Sequence, residues 1–192
     1  MKGYERMTIP KQEMRTLYLD TETTGLNAPE DMIVEISIID DLGDIVISTL
    51  VNPKRSIPEK ATSIHGITNE MVKDAPVFED IWDEIQKQLK DSHLVIYNAE
   101  FDRKFFPDNL ECAKKISCCM LAYAEYNGQW DDSRGIYRWH KLLNAAKWAE
   151  FEWPGVAHRA LSDSLACRAV WQKLKIAKPM PKGAQILAKL FS

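Results

Sequence analysis

Two runs of β-branched residues constrain the fold more than any other feature of this sequence. Residues 33–40 (IVEISIID) and 45–51 (IVISTLV) favour strands, since β-branched side chains suit a pleated sheet. Only four residues separate the runs, so the two strands must form an antiparallel hairpin. A shorter apolar run over residues 15–20 (RTLYLD) predicts a strand ahead of this hairpin, and the turn-prone residues 23–25 (TTG) follow it.

The next apolar segments indicate a parallel crossover. Residues 78–89 carry apolar side chains at helical spacing, and residues 93–97 (HLVIY) then predict a buried strand. A strand, a long connection containing a helix and a second strand are typical of parallel pairing. The strand over residues 93–97 should therefore lie beside the strand over residues 15–20.

Shorter segments complete a predicted α/β fold. A helix that begins near Glu100 should stop at Pro107, and residues 115–119 suit a short edge strand. Residues 139–148 and 160–174 have helical composition. The prediction is a five-stranded mixed sheet, in which an antiparallel hairpin joins parallel strands and helices flank the sheet.

Length and composition describe an ordinary globular chain. The 192 residues carry a formal net charge of −3, with 28% charged and 45% hydrophobic residues, which excludes disordered and collagen-like classes. No apolar run approaches the roughly 18 residues of a membrane span. We predict an N-terminal extension (1–14), one domain (15–176) and a basic C-terminal tail (177–192). Because residues 1–14 lack the apolar core of a secretory signal, we expect a cytoplasmic protein with four reduced cysteines.

The first candidate motif is Asp20-Thr21-Glu22, at the exit of the first strand. Alternation along a strand puts Asp20 and Glu22 on one face, about 6 to 7 Å apart along the chain. Two carboxylates so placed suit Mg²⁺ or Mn²⁺. The same triplet is also typical of solvated carboxylates in a turn, so it needs structural context.

The second motif contains Asn98 and Asp102, directly after the strand over residues 93–97. If that strand is parallel to the first, Asp102 reaches the sheet end that holds Asp20 and Glu22, where α/β sheets bind ligands. A simpler interpretation makes Asn98 a helix N-cap and Asp102 a first-turn acid. The two interpretations are compatible.

The third motif contains His158 and Asp163. A spacing of five residues turns side chains by about 140° on a helix, so the two would not share a helical face. We therefore place His158 in the segment after Pro154-Gly155 and Asp163 inside the following helix. An imidazole there suits accepting a proton from a water on a nearby metal, although a single histidine is also typical of a cap or a surface.

The three motifs together point to a hydrolytic metal centre. They bring four carboxylates and one histidine to one end of the sheet. Acids without matching lysines or arginines repel one another, so the cluster implies bound cations. Paired metals held by carboxylates typically direct water onto a phosphodiester.

At these residues the chain resembles the DEDDh (DnaQ-like) family of 3′-5′ exonucleases. The motifs LDTETTGL, YNAEFD and HRALSD occur in the family's order, and SIHGIT at residues 63–68 matches an accessory motif. The resemblance runs from about residue 16 to 174 and is strongest to exonuclease X and the polymerase proofreading subunit. It implies a ribonuclease H-like fold and hydrolysis from the 3′ end of single-stranded or frayed nucleic acid, with DNA favoured, to 5′ mononucleotides.

The resemblance also implies a role for each matching residue. Two ions, Mg²⁺ or Mn²⁺, would be held by Asp20, Glu22, Asp102 and Asp163, with His158 as the general base. The 3′-terminal nucleotide would lie against Thr23, Thr24, Ile64, His65 and Phe101, with Asn98 supporting the second motif. Single-stranded DNA or RNA 3′ ends are the expected partners, together with a DNA polymerase or repair complex or a second copy of the chain.

Other functions stay open at this point. An exoribonuclease would have the same motifs, and a binding module for nucleic-acid ends or a polymerase would use the fold and the basic tail without needing His158. A nucleotide-binding oxidoreductase is disfavoured because GxGxxG and GxxxxGK[ST] are absent from the sequence.

Some positions depart from the family pattern. Tyr97 and Ser162 stand where many members have a histidine and an acid, which affects substrate preference more than reaction type. Residues 127–140 match no family feature. Their aromatic and basic side chains suit either stacking on single-stranded nucleic acid or ordinary packing.

Overall fold

The computed structural model describes residues 14–154 and 157–177, and a five-stranded mixed sheet forms the centre of this part of the chain. The strands are β1 (Thr16–Thr23), β2 (Ile33–Asp40), β3 (Ile45–Leu50), β4 (His93–Ile96) and β5 (Lys115–Cys118). Their order in the sheet is β3-β2-β1-β4-β5. Strand β2 is antiparallel to both β1 and β3, and β4 is parallel to both β1 and β5. The predicted α/β fold, hairpin and crossover are confirmed.

Helices flank the sheet on both faces. They are α1 (Glu59–His65), α2 (Asn69–Val72), α3 (Phe78–Leu89), α4 (Ala99–Asp102), α5 (Cys119–Asn127), α6 (Leu142–Trp148) and α7 (Ala160–Ile176). Two short 3₁₀ turns, Arg103–Phe105 and Pro107–Leu110, follow α4. A small separate hairpin, β6 (Trp130–Asp131) and β7 (Ile136–Tyr137), precedes α6.

Strand β1 is central, and the alternation of its side chains decides where the polar residues lie. Leu17 and Leu19 are buried in the core that contains α3, whereas Tyr18 is buried in the core beneath α7. Asp20 and Glu22 share the alternation of Tyr18, so they lie on the α7 face at the end of the strand. The sheet thus directs both carboxylates towards the start of α7.

Most predicted elements match the structure, and the differences have physical causes. Strand β1 continues to Thr23, beyond the predicted end at residue 20, because its pairing with β2 extends to that residue. Helix α6 begins at Leu142, later than the predicted residue 139. The hydroxyl of Tyr97 donates to the carbonyl of His140 at 2.8 Å, which ties the preceding residues to β4 instead. The helix predicted from Glu100 ends as a 3₁₀ turn.

Sequence reasoning did not predict α1, α2, α5 or the β6–β7 hairpin. These elements are short, and α5 has buried residues without a regular apolar stripe (Cys119, Tyr123 and Ala124). The predicted extension and basic tail lie almost entirely outside the described residues. All four cysteines are free thiols, as expected, and none of the helices in the described ranges is long and apolar enough to cross a membrane.

Candidate active site

Three carboxylates meet where β1 ends and α7 begins. Asp20 and Glu22 extend from the end of β1, and Asp163 lies in the first turn of α7, which packs on β1 and β2. One carboxylate oxygen from each residue lies within 4.8 Å of the others. Oxygen ligands at this separation fit a hard divalent cation such as Mg²⁺ or Mn²⁺.

Asp102 lies beside this group and is held by the strand itself. It is the last residue of α4, which follows β4, the parallel neighbour of β1. Its side chain is buried, and Oδ1 accepts a hydrogen bond from the hydroxyl of Thr21 at 2.8 Å. Parallel pairing of β1 and β4 therefore brings Asp102 to the same end of the sheet as Asp20 and Glu22.

The surroundings of these four carboxylates disfavour their charged forms. The pKa of Glu22 is raised to about 8, that of Asp102 to about 7 and that of Asp163 to about 6, and the pKa of Asp20 is well above its usual value. Burial is the main cause in each case, and repulsion from neighbouring carboxylates adds to it for Asp20 and Glu22. A cation between these oxygens would relieve both effects, so the donor set fits a metal.

His158 lies before the helix rather than inside it. It has a φ of 63°, and its backbone N–H donates to Oδ1 of Asp163 at 3.1 Å. The residue is exposed and lines the same cavity as Asp163. The imidazole is thus placed at the edge of the carboxylate cluster, where solvent reaches it.

A partly buried ion pair that sequence reasoning did not identify attaches α7 to the sheet. Nε of Arg159 donates to both carboxylate oxygens of Glu35, at 3.2 and 3.0 Å. The backbone N–H of Ala160 donates to the same carboxylate at 2.9 Å, so Glu35 caps the N-terminus of α7. Glu35 is 6% exposed. The only feature of the sequence that could have indicated this role of Glu35 is the position of an acid among the β-branched residues of β2.

A cavity of about 520 Å³ opens beside Glu22, and we call it the β1 cavity. Its walls include Thr23, Thr24, Ile64, His65 and Phe101. These are five of the six residues that the family resemblance implied for nucleotide contact. The sixth, Asn98, lines a different cavity, and it occupies the N-cap position of α4 without a side-chain capping bond.

The loop after β1 is shaped by Asp31, another residue that sequence reasoning did not identify. The hydroxyl of Thr24 donates to Oδ1 of Asp31 at 3.0 Å, and the backbone N–H of Asn27 donates to Oδ2 at 3.0 Å. A Cβ at Gly25 would clash with the carboxylate of Asp31, so a larger residue there would require the Asp31 side chain to move. This packing sets the wall of the β1 cavity.

Comparison with known proteins identifies the family. The family model described as exonuclease matches residues 17–170, most of the chain. The chain belongs to the DnaQ-like 3′-5′ exonuclease family. It is 40% identical over 159 residues to an uncharacterized exonuclease, CP81, of Escherichia phage 186. The aligned region covers 77% of this chain and 81% of the phage protein.

Three further similarities concern two polymerase subunits and a protein–DNA complex. The chain is 41% identical over 158 residues to the DNA polymerase III epsilon subunit of Treponema pallidum, covering 77% of this chain and 70% of that subunit. It spans only about half the length of the Rickettsia conorii epsilon subunit, at 38% identity over 116 residues, or 58% of this chain. Exonuclease X in complex with 5′ overhanging duplex DNA superposes with a TM-score of 0.67 at 29% identity, covering 88% of this chain and 95% of exonuclease X.

The raised pKa values predict how stability depends on pH. Between about pH 4 and 8 the folded, metal-free protein holds more protons on these carboxyls than the unfolded chain does, so its free energy of unfolding should fall as the pH rises. Thermal unfolding in chelator should show this fall. Added Mg²⁺ or Mn²⁺ should raise Tm more near the upper end of this range than near the lower end, and Asp102→Asn should flatten the pH dependence. A metal-free Tm that rises with pH across this range would contradict the assignment.

The Glu35–Arg159 ion pair predicts unequal losses of stability when either partner is replaced. Arg159→Met leaves a buried carboxylate unpaired beside Glu22, so we expect a loss of about 2 kcal/mol in the free energy of unfolding, a value that allows for the 39% exposure of the arginine side chain. Glu35→Gln also removes a charge from a crowded acidic site and should cost less. Urea titration measures both.

Arg134→Met provides the control, because Arg134 is 70% exposed and 4.0 Å from Asp131. Its loss should stay below about 0.5 kcal/mol. A larger cost for Glu35→Gln than for Arg159→Met would contradict our account of the pair.

Proposed function

We propose that the protein is a two-metal 3′-5′ exonuclease that hydrolyses phosphodiester bonds from the 3′ end of single-stranded or frayed DNA and releases 5′ mononucleotides. One observation carries the proposal. Three carboxylates have oxygens within 4.8 Å of one another, one of them, Glu22, lines a cavity of about 520 Å³, and the buried Asp102 lies next to the group. Membership of an exonuclease family supports the reaction type.

The residues that would hold the ions are Asp20, Glu22, Asp102 and Asp163. Two Mg²⁺ or Mn²⁺ ions, when bound, polarise the scissile phosphate and make water a stronger nucleophile. The protein's own contribution is to hold the carboxylates in place before any ligand binds. The Thr21 hydroxyl fixes Asp102, and the capped start of α7 fixes Asp163.

His158 supplies the general base in this proposal. Its exposed imidazole borders the cavity that Asp163 lines, so it can take a proton from the attacking water and pass it to solvent. The backbone bond from His158 to Asp163 keeps the two residues together.

The β1 cavity holds the terminal nucleoside. Phe101 and the half-exposed Ile64 offer apolar surface to a base, and backbone groups near Glu22 and Thr23 meet the terminal 3′ hydroxyl. Burial lowers the pKa of His65, which keeps its ring neutral in the cavity wall. A chain that ends in this cavity places its last phosphodiester at the carboxylates, which accounts for exonuclease rather than endonuclease action.

DNA is the proposed substrate because the names of similar proteins refer to DNA. The named relatives include DNA polymerase III epsilon subunits and exonuclease X bound to duplex DNA. A DNA polymerase is accordingly the proposed protein partner.

The test is cleavage of 5′-labelled single-stranded DNA and the matching RNA by purified protein, with Mg²⁺, Mn²⁺ or chelator. We expect a metal-dependent ladder that shortens from the 3′ end, with DNA the faster substrate. Asp20→Asn should lower kcat about a thousandfold, since metal charge stabilisation is worth several kcal/mol. Because burial raises the pKa of Asp20 and favours its neutral form, a neutral amide in its place is tolerated, and Tm in chelator should not fall.

Asp83→Asn is the matched control, an exposed acid of α3, which packs on the sheet face opposite α7. It should cleave at the unaltered rate. Full activity of Asp20→Asn would overturn the site, faster cleavage of RNA would overturn the substrate class, and tight end binding without cleavage in either metal would favour a binding module.

A further inference from the structure

A second cavity, lined by His158 and Asp163, extends well beyond these two residues. It has a volume of about 460 Å³ and lies at the start of α7, so we call it the α7 cavity. Its walls include Asn98, Trp139, Leu142, Trp153, His158 and Asp163.

The α7 cavity and the β1 cavity each have one acid of the carboxylate cluster in their walls. Their walls have no residue in common: Glu22 lines the β1 cavity and Asp163 lines the α7 cavity. The carboxylate oxygens of these two residues lie within 4.8 Å of each other. A phosphate held between them would therefore border both cavities.

Trp139 gives the α7 cavity a flat aromatic wall. Its side chain is 53% exposed, and within the described ranges it packs against no other aromatic ring. Trp130 of the nearby hairpin, by contrast, packs edge to face on Tyr137, with ring centroids 5.1 Å apart. Of the aromatics in residues 127–140, Trp139 is thus the one that faces a cavity with its ring available.

The surroundings of Trp139 suit a nucleotide. Trp153 completes the aromatic lining and is braced by Phe151 at 5.3 Å between ring centroids. Arg138 and Lys141 flank the tryptophan in sequence, are exposed, and form no ion pair among the described residues. Aromatic faces next to basic side chains are the usual means of holding single-stranded nucleic acid.

We propose that the α7 cavity binds the nucleotide next to the 3′ terminus, with its base stacked on Trp139. The inference rests on the proposed function, because it assigns the terminal nucleoside to the β1 cavity and the scissile phosphate to the carboxylates. The leaving 3′ hydroxyl then belongs to the nucleotide in the α7 cavity. Since Trp139 touches that base and not the reacting atoms, it is a substrate-binding residue and not a catalytic one.

The test compares two single-stranded DNA substrates that differ at one position. One is an oligothymidylate, and the other is the same strand with an abasic residue second from the 3′ end. The rate ratio for release of the terminal nucleotide measures what the second base contributes. In the unaltered protein the intact strand should react about tenfold faster in kcat/KM, as expected for the loss of one stacked base.

Trp139→Ala should bring this rate ratio close to one, because the second base of the intact strand then has no indole ring to stack on. Trp139→Phe should keep most of it, since a smaller ring still stacks. Trp130→Ala is the control, an exposed tryptophan of the same segment that does not line the cavity, and it should keep the full ratio.

Each outcome has a distinct meaning. A ratio near one in the unaltered protein, or an unchanged ratio in Trp139→Ala, would overturn the proposal and leave the exonuclease assignment intact. Absence of cleavage of either strand by the unaltered protein would overturn the proposed function, and this inference with it.

Discussion

The burial of several carboxylates close together at the end of β1 is the constraint on which the rest of the site depends. Asp20, Glu22 and Asp163 bring carboxylate oxygens within 4.8 Å of one another. Burial is the main cause of their raised pKa values, and repulsion from neighbouring acids adds to it. Such a cluster lowers the stability of the metal-free protein at neutral pH. It is maintained only because the surrounding structure holds each acid in place, and it is relieved by cations.

The supporting structure consists of the sheet and one ion pair. Strand β1 is buried on both faces, so the two acids at its end have little freedom to move apart. Parallel pairing with β4 supplies Asp102, and the bidentate contact from Arg159 to Glu35 fixes the start of α7 against β2. Asp163 comes from a part of the chain distant from Asp20 and Glu22. The contact of Arg159, four residues before it, with Glu35 therefore positions Asp163.

Patterns within a segment were enough to predict much of the fold. The bounds of β2 and α3 follow from β-branched and helical periodicity, and the meeting of Asp20 with Asp102 follows from parallel pairing. Contacts between distant segments were not predictable in this way. In the sequence, Glu35 is a polar residue within a predicted strand, with nothing to indicate its partner. Arg159 is identifiable as that partner only from the packing of α7 on β2. The β6–β7 hairpin has strands of two residues, too short to leave a periodic signal.

The most direct test of the central claim is the number of Mn²⁺ ions that the protein binds at neutral pH, measured by titration calorimetry in buffers of different protonation enthalpy. Because the carboxyls hold protons when metal is absent, binding should release protons, with about two ions bound per chain. Asp20→Asn should abolish tight binding. Failure of the unaltered protein to bind Mn²⁺, or equal binding by Asp20→Asn, would contradict the claim that this cluster exists to hold catalytic metal.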